Sequence, residues 1–376
     1  MPRLSQQDRI LALSGFLWFT LMGLSVTMTG PISALMGQSL GQPKSSEAQI
    51  FVAIASGAAA IVALNAMFSS HFTGRWVARF CACAYAAGAT VVLFAQSWPM
   101  LLTGYVMIGL GNGGHSFWYN AEFARNFRDR GVGVWLSMLN GFWAVGAVVG
   151  PLLVGKSPSD WRWPVWILWI FCLLPTVFAW FVQPPPPTEA TEEAKERLPL
   201  HTYGLMVLLG LYVGVETTTL TFMSRQLMEV HGVALAAASA IASSLWFAFM
   251  ISRFATGPIS LKLHPSRIVL AAACLGAIGA YLTAQPGLGL VSYVMIGLAM
   301  GPVFPAVIQW GTSLSHAPHR ATAIMVLGPC ICAVAFPAVA AIGIGEHYSR
   351  LPWIVLAIHV CIAVGSVMLH DRKPAS

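Results

Sequence analysis

Charged residues are scarce in this sequence. Asp, Glu, Lys and Arg together make up 9% of its 376 residues, whereas hydrophobic residues make up 57%. Soluble domains carry about 25% charged residues, so the charges present here are too few to cover a surface in contact with water. The composition therefore excludes a soluble globular protein and favours a chain folded in a lipid bilayer.

Clusters of metal ligands and basic patches are also missing. The seven cysteines lie inside apolar segments, and the two C-x-C pairs lack the histidines or second cysteine pair of a zinc site. The 20 Lys and Arg residues stand singly between apolar runs, which offers no footprint for nucleic acid. We therefore expect no metal, no cofactor and no nucleic-acid partner.

Long apolar runs, separated by short polar breaks, make up most of the chain. In lipid such runs must be helical, because a helix satisfies its own backbone hydrogen bonds. Barrel strands are excluded, since they alternate apolar and polar residues and are about half as long. Twelve membrane-spanning helices are predicted, at residues 10–36, 48–70, 78–96, 99–123, 132–154, 163–182, 203–224, 234–256, 267–284, 287–310, 321–343 and 351–370.

The basic residues divide unevenly between the two ends of these spans. With the N-terminus placed in the cytoplasm, fifteen Lys and Arg residues fall on the inner side and five on the outer side, which accounts for all 20. Basic residues are enriched in cytoplasmic loops, so this division predicts an integral protein of the cytoplasmic membrane with both termini inside. Arg253, near the end of the eighth predicted span, is counted among the inner residues.

One hexapeptide, Tyr-Val-Met-Ile-Gly-Leu, occurs twice, starting at residue 105 and again at residue 293. The offset (293 − 105 = 188) is half of the chain, and the two copies fall in the fourth and tenth spans. Such a duplication predicts two six-helix halves related by an axis along the membrane normal. The halves are predicted at 1–182 and 203–376, joined by a cytoplasmic, proline-containing linker at 183–202.

Twelve spans, a 6+6 duplication and a mid-chain loop resemble the major facilitator superfamily over nearly the whole chain. The span-five segment GFWAVGAVVGPLLVG is similar to a G-x-x-x-G-P signature of that family, with Gly146, Gly150 and Pro151 in place. Such glycines let helix backbones approach closely, and proline bends a helix. The resemblance implies an all-α membrane fold of two six-helix halves, working by alternating access around a site lined by spans one, four, seven and ten.

Within the superfamily, the chain most resembles the fucose-permease-like branch of proton-linked sugar transporters. LYVGVETT, at 211–218, resembles the acidic span-seven motif of that branch, and GLAMGPVFPA, at 297–306, resembles its span-ten motif. The chain departs from the branch in two places. Span one has no acidic residue after Asp8, and Ser116 stands four residues before Asn120, where the branch often has an acid. Proton coupling through those two positions is not available here.

Two residues inside the predicted spans are candidates for carrying protons. Glu216 is the one acidic residue deep inside a span, where a lone carboxylate costs at least about 2.5–3.5 kcal/mol. It must face a cavity, find a partner or stay protonated, so we predict a proton-binding or substrate-binding role; a protonated structural carboxyl is the alternative. His115, near the middle of span four, is the second candidate. Its alternative is a packing histidine with one hydrogen bond.

Aromatic and amide side chains inside the spans are candidates for binding substrate. Aromatic faces stack on sugars and other rings, and amides hydrogen-bond hydroxyl groups. Ordinary helix packing is the alternative. Glu122 and Arg125, three residues apart near the cytoplasmic end of span four, predict a structural ion pair at an inner gate. The predicted substrate-binding residues are Trp118, Tyr119, Asn120, Asn140 and Gln309.

Three functions stay open. The leading hypothesis is a monomeric secondary transporter that moves a small organic solute, sugar-like or otherwise polar, and is driven by protons through Glu216 with help from His115. The sequence contains no Walker motif, so we do not expect the protein to use ATP directly. One alternative is proton-driven efflux of an amphipathic metabolite, siderophore or drug. The other is a non-transporting membrane sensor. No nucleophile–base constellation is present, so we do not expect an enzyme.

Overall fold

A computed structural model describes residues 4–42, 46, 48–68, 74–155, 161–182, 198–315, 317–345 and 347–370. These residues form twelve α-helices and no β-strand. The helices are α1 (Gln6–Ser39), α2 (Ala48–Phe68), α3 (Gly74–Leu93), α4 (Trp98–Asn126), α5 (Val132–Gly155), α6 (Arg162–Phe178), α7 (Leu200–Glu229), α8 (Leu235–Ser260), α9 (Pro265–Leu282), α10 (Gly289–Ser313), α11 (Pro318–Ile344) and α12 (Leu351–His370).

Each predicted span coincides with one of these helices, and the ends differ by at most five residues. Eight of the helices contain stretches long and apolar enough, by length and composition, to cross a membrane. Shorter apolar stretches occupy Gln49–Asn65 in α2 and Arg162–Phe178 in α6. The prediction of an all-α membrane protein is confirmed.

The described chain forms two compact units. The first contains Met1–Arg130, Phe142–Arg197 and His316–Ala323. The second contains Gly131–Gly141, Leu198–Ser315 and Ile324–Ser376. Helix α5 therefore contributes its first part, up to Gly141, to the second unit and its remainder to the first. The domain boundaries predicted from the sequence stay a prediction, and most of the predicted linker, 183–197, lies outside the described residues.

Helix α1 begins at a capping box. The Ser5 hydroxyl accepts the Asp8 amide proton at 3.1 Å, and the Asp8 carboxylate accepts the Ser5 amide proton at 3.1 Å. The same carboxylate pairs with Arg130 at 2.7 Å, just after α4. Asp8 therefore has structural partners at the start of α1.

Glycines set the approach of α5 to α1 in the first unit. A Cβ added at Gly146 would overlap the Thr20 carbonyl oxygen, and one added at Gly23 would overlap the Trp143 carbonyl oxygen. A Cβ at Gly150 would overlap the Thr27 hydroxyl. The two backbones are thus close enough that side chains larger than hydrogen do not fit between them. Pro151 lies in α5, but its side chain is outside the described part.

Helix α9 begins at a histidine cap. The Nδ1 atom of His264 accepts the Ser266 amide proton at 3.3 Å and lies 2.7 Å from the Ser266 hydroxyl. That hydroxyl also lies 2.6 Å from His370 Nδ1, at the end of α12. Because Nδ1 accepts the amide proton, the cap exists only while this nitrogen is unprotonated. Partial burial, and then the charges of His370 and Arg267, lower the pKa of His264.

Enlarging Gly146 should destabilise the first unit. We expect Gly146→Leu to cost about 1–3 kcal/mol or more, because the new side chain meets backbone that cannot move aside without separating α5 from α1. Thermal unfolding of the detergent-solubilised protein measures the loss. Val149→Leu is the matched control, since Val149 lies on the same helix and is 38% exposed. Equal unfolding midpoints for the two variants would contradict the close approach.

Acid should loosen the start of α9. A group whose pKa is lower in the folded state takes up protons more readily when unfolded. The contribution of the His264 cap is therefore complete above about pH 6.5 and is lost as the pH falls through the folded pKa. We expect exchange of the amide protons of residues 266–268, corrected for intrinsic rates, to accelerate below pH 6.5 in the wild type. His264→Asn caps without titrating, so its protection should not change. Parallel pH profiles would refute the cap.

Candidate functional site

The second unit encloses a polar cluster around a buried cation. Arg253 lies on α8 and is 4% exposed. Its Nη1 donates to the Asn140 carbonyl oxygen of α5 at 3.1 Å, and its Nη2 donates to the Tyr212 hydroxyl of α7 at 2.9 Å. The guanidinium also stands 4.3 Å from the centre of the Phe249 ring. A charge inside a membrane helix is costly to bury. The contacts from α5, α7 and α8 stabilise the guanidinium there.

Glu216 belongs to the same cluster. It lies one turn after Tyr212 on α7 and is 9% exposed. Its carboxyl is within hydrogen-bonding range of the Tyr212 hydroxyl and within electrostatic range of Arg253. An arginine side chain can only donate, so the Tyr212 oxygen accepts from Arg253 and its own proton is available to Glu216. One hydroxyl group thus connects a buried acid with a fixed positive charge. We call these residues, with Asn140, the Arg253 cluster.

Arg253 is a candidate site residue that the sequence analysis does not select. The sequence places it among the inner basic residues near the end of span eight, whereas the structure places it inside α8, which continues to Ser260. A usable signal was present, because Arg253 is the single charged residue within the predicted span 234–256. Thr217, next to Glu216 in the chain, donates to the Val213 carbonyl of its own helix at 2.8 Å.

The two predicted amide ligands occupy different places in the second unit. Asn140 is buried, donates from Nδ2 to the Leu136 carbonyl at 2.9 Å, and offers its own backbone carbonyl to Arg253. Gln309, on α10, is partly buried and packs with its side-chain oxygen against Gly133 near the start of α5. Asn140 is therefore part of the Arg253 cluster, and Gln309 contacts α5 about two turns away from Asn140.

His115 lies in the interior of the first unit, on α4. Its ring stacks on Trp18 with centroids 3.8 Å apart and an interplanar angle of 16°. Nδ1 is 2.8 Å from the Gly111 carbonyl oxygen, which can only accept, so Nδ1 carries a proton. Nε2 has no hydrogen-bond partner among the described residues. The ring thus makes one well-formed hydrogen bond, and its second, buried nitrogen adds at most a weaker interaction with the Ala78 backbone of α3.

The aromatic residues predicted to bind substrate come together on α4 but are buried. The Tyr119 hydroxyl lies 2.5 Å from the Ser14 hydroxyl of α1. The Trp118 ring packs edge-on against Tyr119 with centroids 4.7 Å apart. Asn120 donates to the Ser116 carbonyl of its own helix at 2.7 Å. These contacts connect α4 to α1 and to itself, and the role of the three residues in binding stays a prediction.

An ion pair lies near the C-terminal end of α4. Arg125 Nη2 lies 2.6 Å from Glu122 Oε2, and Asn126 donates to the same oxygen at 2.9 Å. Glu122 is buried, and Arg125, three residues later on the same helix, compensates its charge. The pair has the spacing expected from the sequence; its action as a gate stays a prediction.

The chain is similar in sequence and in fold to known membrane transporters. A family model described as Major Facilitator Superfamily matches residues 15–369. The solved structure of the transporter FucP, in the outward conformation, superposes with a TM-score of 0.81 at 14% identity, covering 97% of this chain and 99% of that chain. The proton:xylose symporter XylE, bound to 6-bromo-6-deoxy-D-glucose, superposes with a TM-score of 0.78 at 14% identity, covering 95% and 94%. At such identities the likeness shows a shared fold.

Curated relatives match over shorter stretches. The MFS-type transporter ucsD of Acremonium sp is 31% identical over 135 residues, which cover 35% of this chain and 23% of that protein. The aligned part of the chain thus spans about a quarter of that relative's length.

Removing one charge of the Arg253 cluster should be more destabilising than removing both. Arg253→Met leaves Glu216 buried without its cation, for which we expect a loss of about 3–5 kcal/mol. Adding Glu216→Gln should recover part of it, with a coupling energy of about 0.5–3 kcal/mol. Denaturation midpoints of the wild type, the two single variants and the double variant, measured in detergent at neutral pH, give this coupling energy.

The exposed pair Arg225–Glu229 on α7 provides the matched control, because its Arg225 side chain is 66% exposed. Its cycle should show about 0–1 kcal/mol. Additive losses at Glu216 and Arg253 would show that the two groups do not interact.

Proposed function

Because this chain belongs to the Major Facilitator Superfamily of membrane transporters, we propose that it moves a small organic solute across the membrane by alternating access, coupled to protons through Glu216. The observation that carries the proposal is the position of Glu216, within reach of both the Tyr212 hydroxyl and the Arg253 charge. A proton carrier must be able to change its charge during transport, and a carboxyl with two polar neighbours can do so at lower cost than an isolated one.

The charge inventory of the second unit supports this choice. Its described acidic residues are Glu216 and Glu229, and Glu229 is an exposed partner of Arg225. Glu216 is thus the buried acid available to exchange a proton there. In the first unit, His115 is the second proton-carrying candidate, since Nε2 is buried without a described partner and could accept one.

The chain is an integral membrane protein, and we propose the cytoplasmic membrane with both termini inside. The excess of basic residues at one end of the helices supports that orientation. The proposed partners are the lipid bilayer, protons and one small solute, with the protein acting as a monomer.

Glu216→Gln should uncouple transport from protons. In proteoliposomes containing the full chain, we expect the wild type to accumulate at least one solute from a panel of L-fucose, D-xylose, lactate and benzoate under an imposed pH gradient. The variant should lose accumulation but retain counterflow, because exchange of solute requires no net release of protons. Glu229→Gln, on the same helix and exposed, is the matched control and should behave as wild type.

Two outcomes would count against the proposal. Wild-type accumulation and pH dependence in Glu216→Gln would remove the role of Glu216. Absence of movement of any solute under any gradient would favour the non-transporting sensor. The direction of the gradient that drives movement distinguishes uptake from efflux.

A further inference from the structure

Asn112 is a buried polar side chain of the first unit to which the proposed function gives no role. It lies on α4, is 6% exposed, and neither its Nδ2 nor its Oδ1 has a hydrogen-bond partner among the described residues. Glycines beside it bring other helices close. A Cβ added at Gly111 would meet Tyr85 of α3, and one added at Gly113 would meet Ala58 of α2. A buried amide without a partner is costly, so a partner is expected inside the unit.

The spacing of residues on α4 shows which helix Asn112 faces. Tyr105, Asn112 and Tyr119 follow one another at intervals of seven residues (112 − 105 and 119 − 112), close to two helical turns, so they share one face of α4. The Tyr105 hydroxyl donates to the Met36 sulfur of α1 at 3.5 Å. The Tyr119 hydroxyl lies 2.5 Å from the Ser14 hydroxyl of α1. Asn112, between the two tyrosines, therefore faces α1 as well.

Ser25 is the residue of α1 that stands level with Asn112, because it lies midway between the two α1 residues that contact the tyrosines of this face. Ser25 is 4% exposed, and its hydroxyl donates to the Met22 carbonyl at 3.0 Å. Its oxygen can therefore still accept a hydrogen bond. An amide that can donate and a hydroxyl oxygen that can accept thus stand at one level between α1 and α4.

Two aromatic side chains add polar atoms at the same level. The Tyr85 hydroxyl of α3 lies near the Ser25 hydroxyl, but it forms no hydrogen bond with any described residue. Trp18 of α1 packs edge-on against Tyr85 with ring centroids 5.4 Å apart, and its Nε1 likewise has no partner there. Both side chains are completely buried. Polar groups that lie close together in an interior without bonding directly are typically bridged by water.

From these contacts we propose a binding site for water in the interior of the first unit, formed by four side chains, Trp18, Ser25, Tyr85 and Asn112. All four are uncharged, so an ion bound there would lack a counter-charge. Water suits them because it both donates and accepts. It can accept from Trp18 Nε1 and donate to Asn112 Oδ1, while the Tyr85 hydroxyl does either. A buried water makes about three hydrogen bonds, which these side chains can supply.

The water site bears on the proposed function through His115. That ring stacks on Trp18 and lies three residues after Asn112 on α4, about one helical turn away (115 − 112). A proton on His115 places a charge in the interior of the unit, and water nearby lowers the cost of a charge inside a membrane protein. This consequence rests on the proposed function, whereas the water site does not.

The test is radiolytic footprinting of the full chain in nanodiscs, in which hydroxyl radicals formed from nearby water oxidise side chains. We expect Trp18 and Tyr85 to be oxidised severalfold faster than Tyr293, although all three are at most 1% exposed. Tyr293 is the matched control, because its hydroxyl donates to Gln226 and needs no water. After rapid mixing with water that carries heavy oxygen, the label should appear at Tyr85 later than at His347, which is exposed before α12.

Two variants test which side chains hold the water. Asn112→Leu keeps a side chain of similar size but offers no hydrogen bond, so oxidation of Tyr85 should fall to the rate measured at Tyr293. Ser25→Ala removes one acceptor with little loss of volume and should also slow oxidation of Tyr85, which keeps the test available if Asn112→Leu does not fold. Ser366→Ala is the control, because Ser366 is buried in the second unit and donates within its own helix at 2.8 Å.

The outcomes separate the water site from the proposed function. Oxidation of Tyr85 as slow as that of Tyr293 in the wild type would overturn the site. Heavy oxygen that reaches Tyr85 as quickly as His347 would show entry of bulk solvent in place of bound water, and would overturn it too. Unchanged oxidation of Tyr85 in the folded variants would show that these side chains do not bind the water. No readout here depends on transport, so failure of proton-coupled accumulation leaves the water site standing.

Discussion

The lipid bilayer offers no hydrogen-bond partners, and the architecture of this protein follows from that constraint. Backbone amides and carbonyls must pair within their own segment, so the described chain is built from helices. Side chains facing lipid need no polarity, which is why 57% of the chain can be hydrophobic. Where two helices approach closely, as α5 and α1 do at Gly146, the side chain is a hydrogen atom. Helices in lipid associate largely through van der Waals packing, which small side chains allow at short backbone distances.

The same constraint explains how the few polar side chains are handled. Asn120 and Asn140 each donate to the carbonyl four residues earlier in their own helix, so neither leaves its amide without an acceptor. Glu122 takes its cation from the next turn of α4. Arg253 is the exception, since its partners come from other helices. A charge held by long-range contacts depends on how those helices are packed, which makes the Arg253 cluster sensitive to any movement of α5, α7 or α8 within the second unit.

The fold is shared with the solved structures of FucP and XylE at 14% identity, and the sequence departs from the fucose-permease-like pattern in two spans. Span one has no acid after Asp8, whose carboxylate caps α1 and pairs with Arg130. Span four has Ser116 at the position where the fucose-permease-like branch often has an acid, and the Ser116 backbone carbonyl accepts from Asn120. The acid that matches the span-seven motif is Glu216, and the structure places it beside a buried arginine.

Local properties of the sequence determined the helices. Twelve apolar runs marked twelve helices to within a few residues, because hydropathy and backbone satisfaction act over a single segment. The duplication and the span-five glycines can also be read directly from the sequence, and they indicated the family. Glu216 also could be selected in advance, since a carboxylate inside a span is conspicuous by itself.

Only the tertiary structure decided which polar groups meet. Arg253 lies 37 residues after Glu216 and 113 residues after Asn140 in the chain (253 − 216 and 253 − 140), and no local pattern brings them together. Packing of α7 and α8 against the first part of α5 does so in the second unit, and packing of α4 against α1 places Tyr119 in the interior of the first unit. Hydropathy specifies that a segment lies in lipid, but the rotation of each helix about its own axis depends on its neighbours, and that rotation sets which residues of other helices meet a buried charge such as Arg253.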